Sequence, residues 1–405
     1  MLRGAIPILL LTAFALAPAR AQVESRAGEV EAARQQKAAH QTPDETSSFE
    51  KRLVWIKEQK IIERATSGIA GFGLSFGKLV TGSGFAVGPE YLRRDLADGQ
   101  VIFRATARGF LKLYYQTDLQ LSMPKLARRR LFVDLLAAHR DFPQLEYYGP
   151  GPDSRKTGRS NFRMEDTSYD FTAGVRPVKY LSLGVTGGYQ QVNVGPGTSE
   201  RFISAERIYS PAVTPGIDRQ ADFLRGGVFG QFDYRDNPGG PRKGGNYVAR
   251  YTYLSDQRLD LYSFKRLDLE VQQYFPFFNR RRVIALRGKS VLTYANNGQT
   301  VPFYLQPTLG GSEDLRGFRN FRFYDDNMMV FNAEYRWETF SGLDMAVFAD
   351  AGKVFHRRAQ WNLKDLEGSY GVGMRFNVRN NVFMRLDVGF SHEGFQLWVK
   401  FNNVF

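Results

Sequence analysis

The sequence predicts an all-β protein, a 16-stranded antiparallel transmembrane β-barrel, and three observations lead to this fold class. The chain begins with an export signal, apolar and polar residues alternate from Ile69 to the end, and the connections between strands are alternately short and long. The strands of a membrane barrel alternate lipid-facing and lumen-facing side chains, and the periplasmic turns of such a barrel are shorter than its extracellular loops.

Residues 1–21 have the features of a signal peptide. Arg3 supplies the positive charge, residues 5–17 are largely apolar, and Ala19 and Ala21 form a small-residue cleavage site. The apolar run is too short to span a bilayer, which needs about 20 residues. The chain is therefore predicted to be exported and cleaved after residue 21.

Residues 22–66 are rich in Gln, Glu, Ala, Lys and Arg and predict a polar linker with a short amphipathic helix. Phe49, Leu53 and Ile56 fall on one face of this helix, which covers residues 48–65. Two placements are open. The helix lies against the barrel mouth or the membrane surface, or it enters the lumen as a plug.

The rest of the chain follows the period of two that is typical of half-buried strands. In the final strand Phe395, Leu397 and Val399 share a face with Phe401 and Phe405, and polar residues occupy the other face. Charged residues recur on one face of strand after strand. A soluble β-sandwich would bury these charges between its sheets, which disfavours that alternative.

Counting such segments gives an even number of strands and assigns residues 67–405 to the barrel. The predicted strands are 68–79, 83–94, 99–109, 111–122, 129–141, 160–176, 179–192, 223–236, 245–256, 263–276, 281–294, 327–338, 343–354, 367–378, 381–392 and 394–405. Connections after even-numbered strands are short, whereas 142–159, 193–222 and 295–326 are long. The short turns are expected on the periplasmic side, together with both termini.

Composition narrows the function classes. The chain has no cysteine, which excludes disulfides, thiolate metal sites and a lipid-modified N-terminal cysteine. Its formal net charge is +14. In an exported protein such a charge favours anionic lipid head groups, acidic cargo or an anion-favouring lumen over nucleic acid.

No catalytic, cofactor or metal site is predicted. Gly73, Ser75 and Gly77 match G-x-S-x-G, but the chain continues as strand where a nucleophile elbow needs a sharp turn into a helix. The four histidines show no ligand spacing. Aromatic residues at predicted strand ends are expected to form interfacial girdles. They are Tyr147, Tyr148, Phe275, Phe277, Phe278 and Trp337.

Three motifs together resemble the BamA/TamA family of outer-membrane barrels. They are GGSEDLRGF at 310–318, FADAG at 348–352, and FDYRDNPGGPRKGGNY at 232–247, and an aromatic last strand accompanies them. In that family the LRGF-type motif lies in a long sixth extracellular loop that folds into the lumen. Here the motif falls between the eleventh and twelfth predicted strands, where this resemblance requires it.

The resemblance implies a loop lock made by Arg316, Gly317 and Phe318. The alternation of the two following strands turns Glu334 and Asp350 into the lumen. A guanidinium that enters the lumen forms charge-assisted bonds with such carboxylates. Arg316 is therefore expected to pair with Asp350 and Glu334, and the alternative is an exposed loop arginine.

The two ends of the barrel carry the remaining predicted site residues. The resemblance implies that the last strand, with Val399, Phe401 and Phe405, is the signal presented to the barrel-assembly machinery. The first strand contains several glycines, which weaken strand pairing. Gly71, Gly73 and Gly77 are accordingly predicted to form one side of a lateral seam.

The predicted function is outer-membrane biogenesis in a Gram-negative bacterium, through protein insertion, translocation or lipid perturbation at this seam. Expected partners are outer-membrane lipid, lipopolysaccharide and an unknown protein client. Family members that handle proteins carry periplasmic POTRA domains, and residues 22–66 are too few for one, so a POTRA-less member is expected. The alternative function is a gated, anion-favouring diffusion pore.

Overall fold

The computed structural model describes residues 71–77, 86–109, 114–378, 380–401 and 405. The predicted signal peptide and the amphipathic helix lie outside these residues. None of the helices in the described part of the chain has the length and apolar character needed to cross a bilayer.

The described residues form one 16-stranded antiparallel sheet, which confirms the predicted fold class. The order in the sheet follows the chain from β1 to β18, with β11 next to β14, because β12 and β13 form a separate pair. The strands are β1 Phe72–Gly77, β2 Ala86–Leu96, β3 Val101–Gly109, β4 Tyr115–Lys125, β5 Leu131–Tyr147, β6 Ser160–Val178, β7 Leu181–Pro196, β8 Asp222–Asp233, β9 Gly244–Asp256, β10 Phe264–Phe277, β11 Arg282–Ala295, β12 Thr308–Leu309, β13 Phe323–Tyr324, β14 Asn327–Phe340, β15 Leu343–Phe355, β16 Glu367–Val378, β17 Asn381–Ser391 and β18 Gly394–Lys400.

Helical structure in the described part is limited to single turns in the connections. They are Leu126–Arg129, Lys156–Gly158, Ala205–Arg207, Phe303–Leu305 and Arg358–Gln360.

The alternation in the sequence produces two chemically different faces. On β10, Phe275 is 48% exposed, whereas its neighbour Tyr274 is buried. On the paired strand β11, Ile284 is exposed and Val283 is buried. Successive side chains of a strand point to opposite faces. One face is therefore an apolar outer wall that suits lipid, and the other faces the interior.

Contacts between distant strands show that the sheet curls back on itself. The β8–β9 connection donates from Asn237 Nδ2 to the carbonyl of Asn380, between β16 and β17, at 2.7 Å. Arg242 of the same connection donates to both oxygens of Asp344 on β15 at 2.7 Å. At the other end of the strands, Lys156 donates to the carbonyl of Glu393 at 2.6 Å. These contacts require a closed-up, barrel-like curvature.

Candidate functional site

The long connection 296–326 between β11 and β14 carries the GGSEDLRGF motif. The two-residue strands β12 and β13 pair with each other and bring the ends of the motif together. Gly310 and Gly311 lie between them at φ +107° and +103°. Glycine adopts this left-handed backbone region at little steric cost, which permits the tight entry into the motif.

Arg316 lies at the centre of this connection and is fully buried. Its Nη2 and Nε atoms donate to the two oxygens of Asp350 on β15 at 2.6 and 2.9 Å, a bidentate pair. Its Nη1 donates to Glu334 on β14 at 3.2 Å. The guanidinium also stacks over the ring of Phe348, 3.5 Å from the centroid. The structure thus brings together the three charged residues that the sequence singled out.

The ion-pair network continues beyond these residues along β16 and β17. Arg375 pairs with Glu334 and donates to Asp387 at 2.5 Å. Arg385 donates to the other oxygen of Asp387 at 2.5 Å and to the carbonyl of Ser312 at 2.8 Å. Each buried charge therefore faces at least one opposite charge, which offsets the large desolvation penalty of burial.

A second branch joins the loop to β10 and β11. Arg287 donates to Glu270 at 2.7 Å and to Asp314 at 3.3 Å. Asn332 donates to the carbonyl of Asp314 at 2.7 Å and to Asp350 at 2.8 Å, so it links the two branches.

Close backbone contact complements the charges. A side-chain carbon at Gly389 of β17 would lie 2.3 Å from the carbonyl oxygen of Arg316, and one at Gly317 would lie 2.5 Å from that of Phe390. Only glycine fits at both positions. Phe318 is fully buried and packs in a cluster with apolar neighbours. The other members of this cluster are Val291, Leu309, Leu315, Phe323, Met328, Val330 and Val354.

The loop also holds the end of the sheet. Trp398 of β18 donates its indole N–H to the carbonyl of Arg316 at 2.7 Å. Ser391 of β17 donates to the carbonyl of Gly317 at 2.8 Å. The motif therefore binds the last two strands through main-chain acceptors as well as through side-chain charges.

The part of the connection after the motif packs against the end of β5 and against the β5–β6 connection, where the N–H of Gly151 donates to the carbonyl of Tyr324 at 2.6 Å. Tyr324 donates to the carbonyl of Glu146 at 3.0 Å, and the rings of Tyr324 and Tyr147 lie 4.9 Å apart. Tyr147 and Tyr148 are buried in this region, so their placement in an outward-facing girdle was wrong. Next to Tyr324, burial raises the pKa of the Asp325 carboxyl to about 6.

The predicted seam glycines lie at the first edge of the sheet. Gly71 precedes β1 in a turn at φ +89°, and Gly73 and Gly77 pair with Glu90 and Ala86 on β2. Ser75 lies within β1 and accepts from Arg104 at 3.2 Å. The G-x-S-x-G segment is thus regular strand rather than the strand-to-helix turn of a nucleophile elbow.

The C-terminal residues differ from the expected pattern. The last strand ends at Lys400 rather than continuing to residue 405. Val399 is exposed on the outer face. The ring centroids of Phe401 and Phe383 lie 5.5 Å apart. Phe405 is instead buried, in a cluster on the inner face of β10 and β11, so the prediction that it shares the outer face was wrong.

The pocket around Phe405 combines apolar and cationic groups. Its ring packs in a cluster with Tyr274, Val283 and Ala285. The guanidinium groups of Arg336 and Arg287 lie 5.5 and 5.9 Å from its centroid. An aromatic ring in such surroundings is stabilised by apolar burial and by cation–π attraction.

The sequence motifs did not connect Arg385 and Asp387 with the loop. The alternation of polar and apolar residues in β17 predicts that both side chains point inward. It does not predict that the loop motif reaches as far into the interior as these two residues. The motifs also did not indicate that His356 lies beside two carboxylates. His356 lies 2.8 Å from Asp326 and 3.7 Å from Asp325, at the exit of the loop.

Comparisons with known proteins agree with this architecture. Over 82% of the chain, the fold is similar to that of BamA from Haemophilus ducreyi lacking POTRA domains 1–3, with a TM-score of 0.61, 13% identity and 70% of that chain covered. It is also similar to CdiB from Escherichia coli, with a TM-score of 0.54, 13% identity and 82% of this chain but 62% of that chain covered. A search of curated protein sequences finds no match.

The sequence itself matches a family model over residues 111–393, which is more than half of the chain. That model describes the Omp85 superfamily domain. The match includes the loop with Arg316 and the strands that carry Glu334 and Asp350, and it confirms the resemblance to BamA-type barrels. The chain therefore belongs to the Omp85 superfamily.

Proposed function

We propose that the protein is an outer-membrane barrel of a Gram-negative bacterium that inserts or translocates protein, or perturbs lipid, at the seam between β1 and β18. Superfamily membership and the BamA-like fold support this proposal. Its proposed partners are outer-membrane lipid, lipopolysaccharide and a protein client. The barrel-assembly machinery is a further proposed partner, during insertion of the chain itself.

The observation that carries the proposal is the character of the two edges. In the described part of the chain β1 pairs with β2 and β18 pairs with β17, so both are edge strands of the sheet. β1 has six residues, compared with eleven in β2. Unpaired strand edges are templates for another strand. A short edge strand opposite an apolar one suits a seam that admits a client strand or lipid.

The diffusion pore is the less favoured function. The loop motif fills part of the interior with buried, mutually paired charges, and Arg316, Arg375 and Arg385 are fully buried. Arginines that are neutralised in this way contribute little to an anion-favouring path. The positive net charge of the chain is therefore weaker support for an anion-favouring pore than the sequence analysis assumed.

Covalent closure of the seam tests the proposal. Leu74 on β1 and Leu397 on β18 are both exposed on the outer face, and the chain has no native cysteine to interfere. The double variant Leu74→Cys, Leu397→Cys is joined with a bifunctional maleimide and reconstituted in liposomes. Insertion of an unfolded barrel client and leakage of lipid-enclosed dye are then measured. We expect both to fall strongly after cross-linking.

A matched control joins two strands that are already paired. Ala105 on β3 and Leu119 on β4 lie opposite each other, and cysteines at these positions should leave both readouts unchanged. If the seam cross-link has no effect on insertion or leakage, the proposal is wrong. Steady anion-selective conductance that persists after cross-linking would favour the pore instead.

A further inference from the structure

We propose that Asp325, Asp326 and His356 form a binding site for a divalent cation of the zinc type at the outer exit of the lumen loop. One ligand atom from each residue lies within 4.8 Å of the others. Two carboxylates and one imidazole are a donor set that zinc and similar divalent ions accept.

The strand register brings these residues together. Asn327 and Phe355 form the first pair of the β14–β15 ladder, so Asp326 lies just before it on one strand and His356 just after it on the other. Asn327 fixes the backbone by donating from Nδ2 to the carbonyls of Phe355 and His356, at 3.1 and 3.0 Å. The site is thus built on the rigid end of a hairpin rather than on freely moving loops.

The ligand separations suit a small ion. The Nδ1 atom of His356 lies 2.8 Å from Asp326 Oδ2 and 3.7 Å from Asp325 Oδ1. A tetrahedral ion with ligands at about 2.0–2.1 Å keeps them about 3.3 Å apart. The observed separations lie on either side of this value, so small side-chain rotations are sufficient.

An independent observation is the charge deficit at Asp325. Its side chain is only 9% exposed and accepts the backbone N–H of Asp326 at 2.8 Å. Among the described residues, the one basic side chain within ion-pair distance of either carboxylate is His356, and no lysine or arginine is. Other buried carboxylates have such a partner, as Asp344 has Arg242 and Asp350 has Arg316. Two carboxylates that share one histidine are short of positive charge, which is costly for the buried one. A bound divalent ion supplies the missing positive charge.

The surroundings allow an ion to enter and hold its ligands. The side chain of His356 is 72% exposed, which leaves the site open to solvent. Gln306 donates to the second oxygen of Asp326 at 3.0 Å and orients that carboxylate. Such supporting hydrogen bonds fix ligands in metal sites. Because Asp325 and Asp326 end the loop and His356 follows the last residue of β15, the ion would fasten the loop exit to the barrel rim.

Metal binding to the full-length protein, purified in detergent and stripped with a chelator, tests the site. Zinc is titrated calorimetrically, and cobalt(II) serves as a spectroscopic probe because its visible absorption reports the coordination geometry. We expect one zinc ion per chain for the native protein. His356→Ala and Asp326→Asn should each weaken binding at least about tenfold, since each removes a ligand. Correct folding of both variants is checked by heat modifiability.

His392→Ala is the matched control, because His392 is also exposed and also pairs with a carboxylate, Glu367. This variant should bind zinc as the native protein does. Zinc should also slow protease cleavage within residues 296–326 in the native protein and in the control, but not in His356→Ala. Zinc affinity that is equal in native protein and His356→Ala, or no saturable binding by the native protein, would overturn the proposal.

Discussion

Arg316 shows how strongly a single buried charge can bind a loop to a barrel wall. Its guanidinium, Asp350 and Glu334 are all removed from solvent. Removing one partner of such a group leaves the others charged and unpaired, which is more costly than losing an exposed pair. The bidentate geometry also distinguishes arginine from lysine, whose ammonium cannot form two parallel bonds to one carboxylate.

Arg316→Ala should therefore destabilise the loop by about 3 to 5 kcal/mol. The measurement is protease cleavage within residues 296–326, combined with a double-mutant cycle using Asp350→Ala. Arg266→Ala is the control, because Arg266 and Asp268 form a pair that is about one-third exposed. A coupling energy near zero between Arg316 and Asp350, with cleavage unchanged in both single variants, would show that the pair does not lock the loop.

Gly389→Ala should loosen the same loop without removing any charge. The added carbon would lie 2.3 Å from the carbonyl oxygen of Arg316, so the backbones of the loop and β17 must separate. Gly226→Ala on β8 is the matched control, because nothing lies within 4 Å of the added carbon there. Faster cleavage of the loop in Gly389→Ala alone is expected. Equal cleavage rates in the two variants would contradict a tight contact.

At the scale of elements, period-two alternation predicted the strands and most of their orientations. Glu334 and Asp350 face the interior as expected, because the charged face of a strand must avoid lipid. The alternation predicted the wrong face for residues beyond the end of a strand. Phe405 was placed on the outer face by extending β18 to the end of the chain, whereas the ladder ends at Lys400. Contacts that depend on the path of a loop, such as Arg385 with Ser312, were likewise not predictable.

The two roles of the C-terminal phenylalanine can be separated. Phe405→Ala empties an apolar pocket, and a buried Phe-to-Ala change costs about 3 to 5 kcal/mol. Tyr274→Ala damages the same pocket from the wall side and should lower thermal stability similarly. If Phe405 is in addition the assembly signal, Phe405→Asp should lower the amount of heat-modifiable barrel in the membrane well below that of Tyr274→Ala. Equal amounts would leave only the packing role.

For the whole molecule, the connection between β8 and β9 joins distant strands at the end opposite the long loops, because it bonds to β15 and to the turn between β16 and β17. Arg242→Ala removes the bonds from Nη2 to both oxygens of Asp344 and the bond from Nη1 to the carbonyl of Arg280. Because this arginine is partly exposed, the loss should be only about 1 kcal/mol. Protease cleavage within residues 234–243 should increase, whereas Lys243→Ala, which lies next to it, should leave cleavage unchanged. Similar cleavage in both variants would show that Arg242 does not anchor the connection.

The contacts of the lumen loop also have a mechanical consequence. Arg287 on β11, Asp350 on β15 and Trp398 on β18 all bind residues within 313–316 of the loop. A sideways force on β18 is therefore shared across the wall as far as β11, instead of being borne by the β17–β18 ladder alone. The strands from β11 to β18 are therefore braced together by the loop, so at the proposed seam we expect β1, rather than β18, to be the strand that moves.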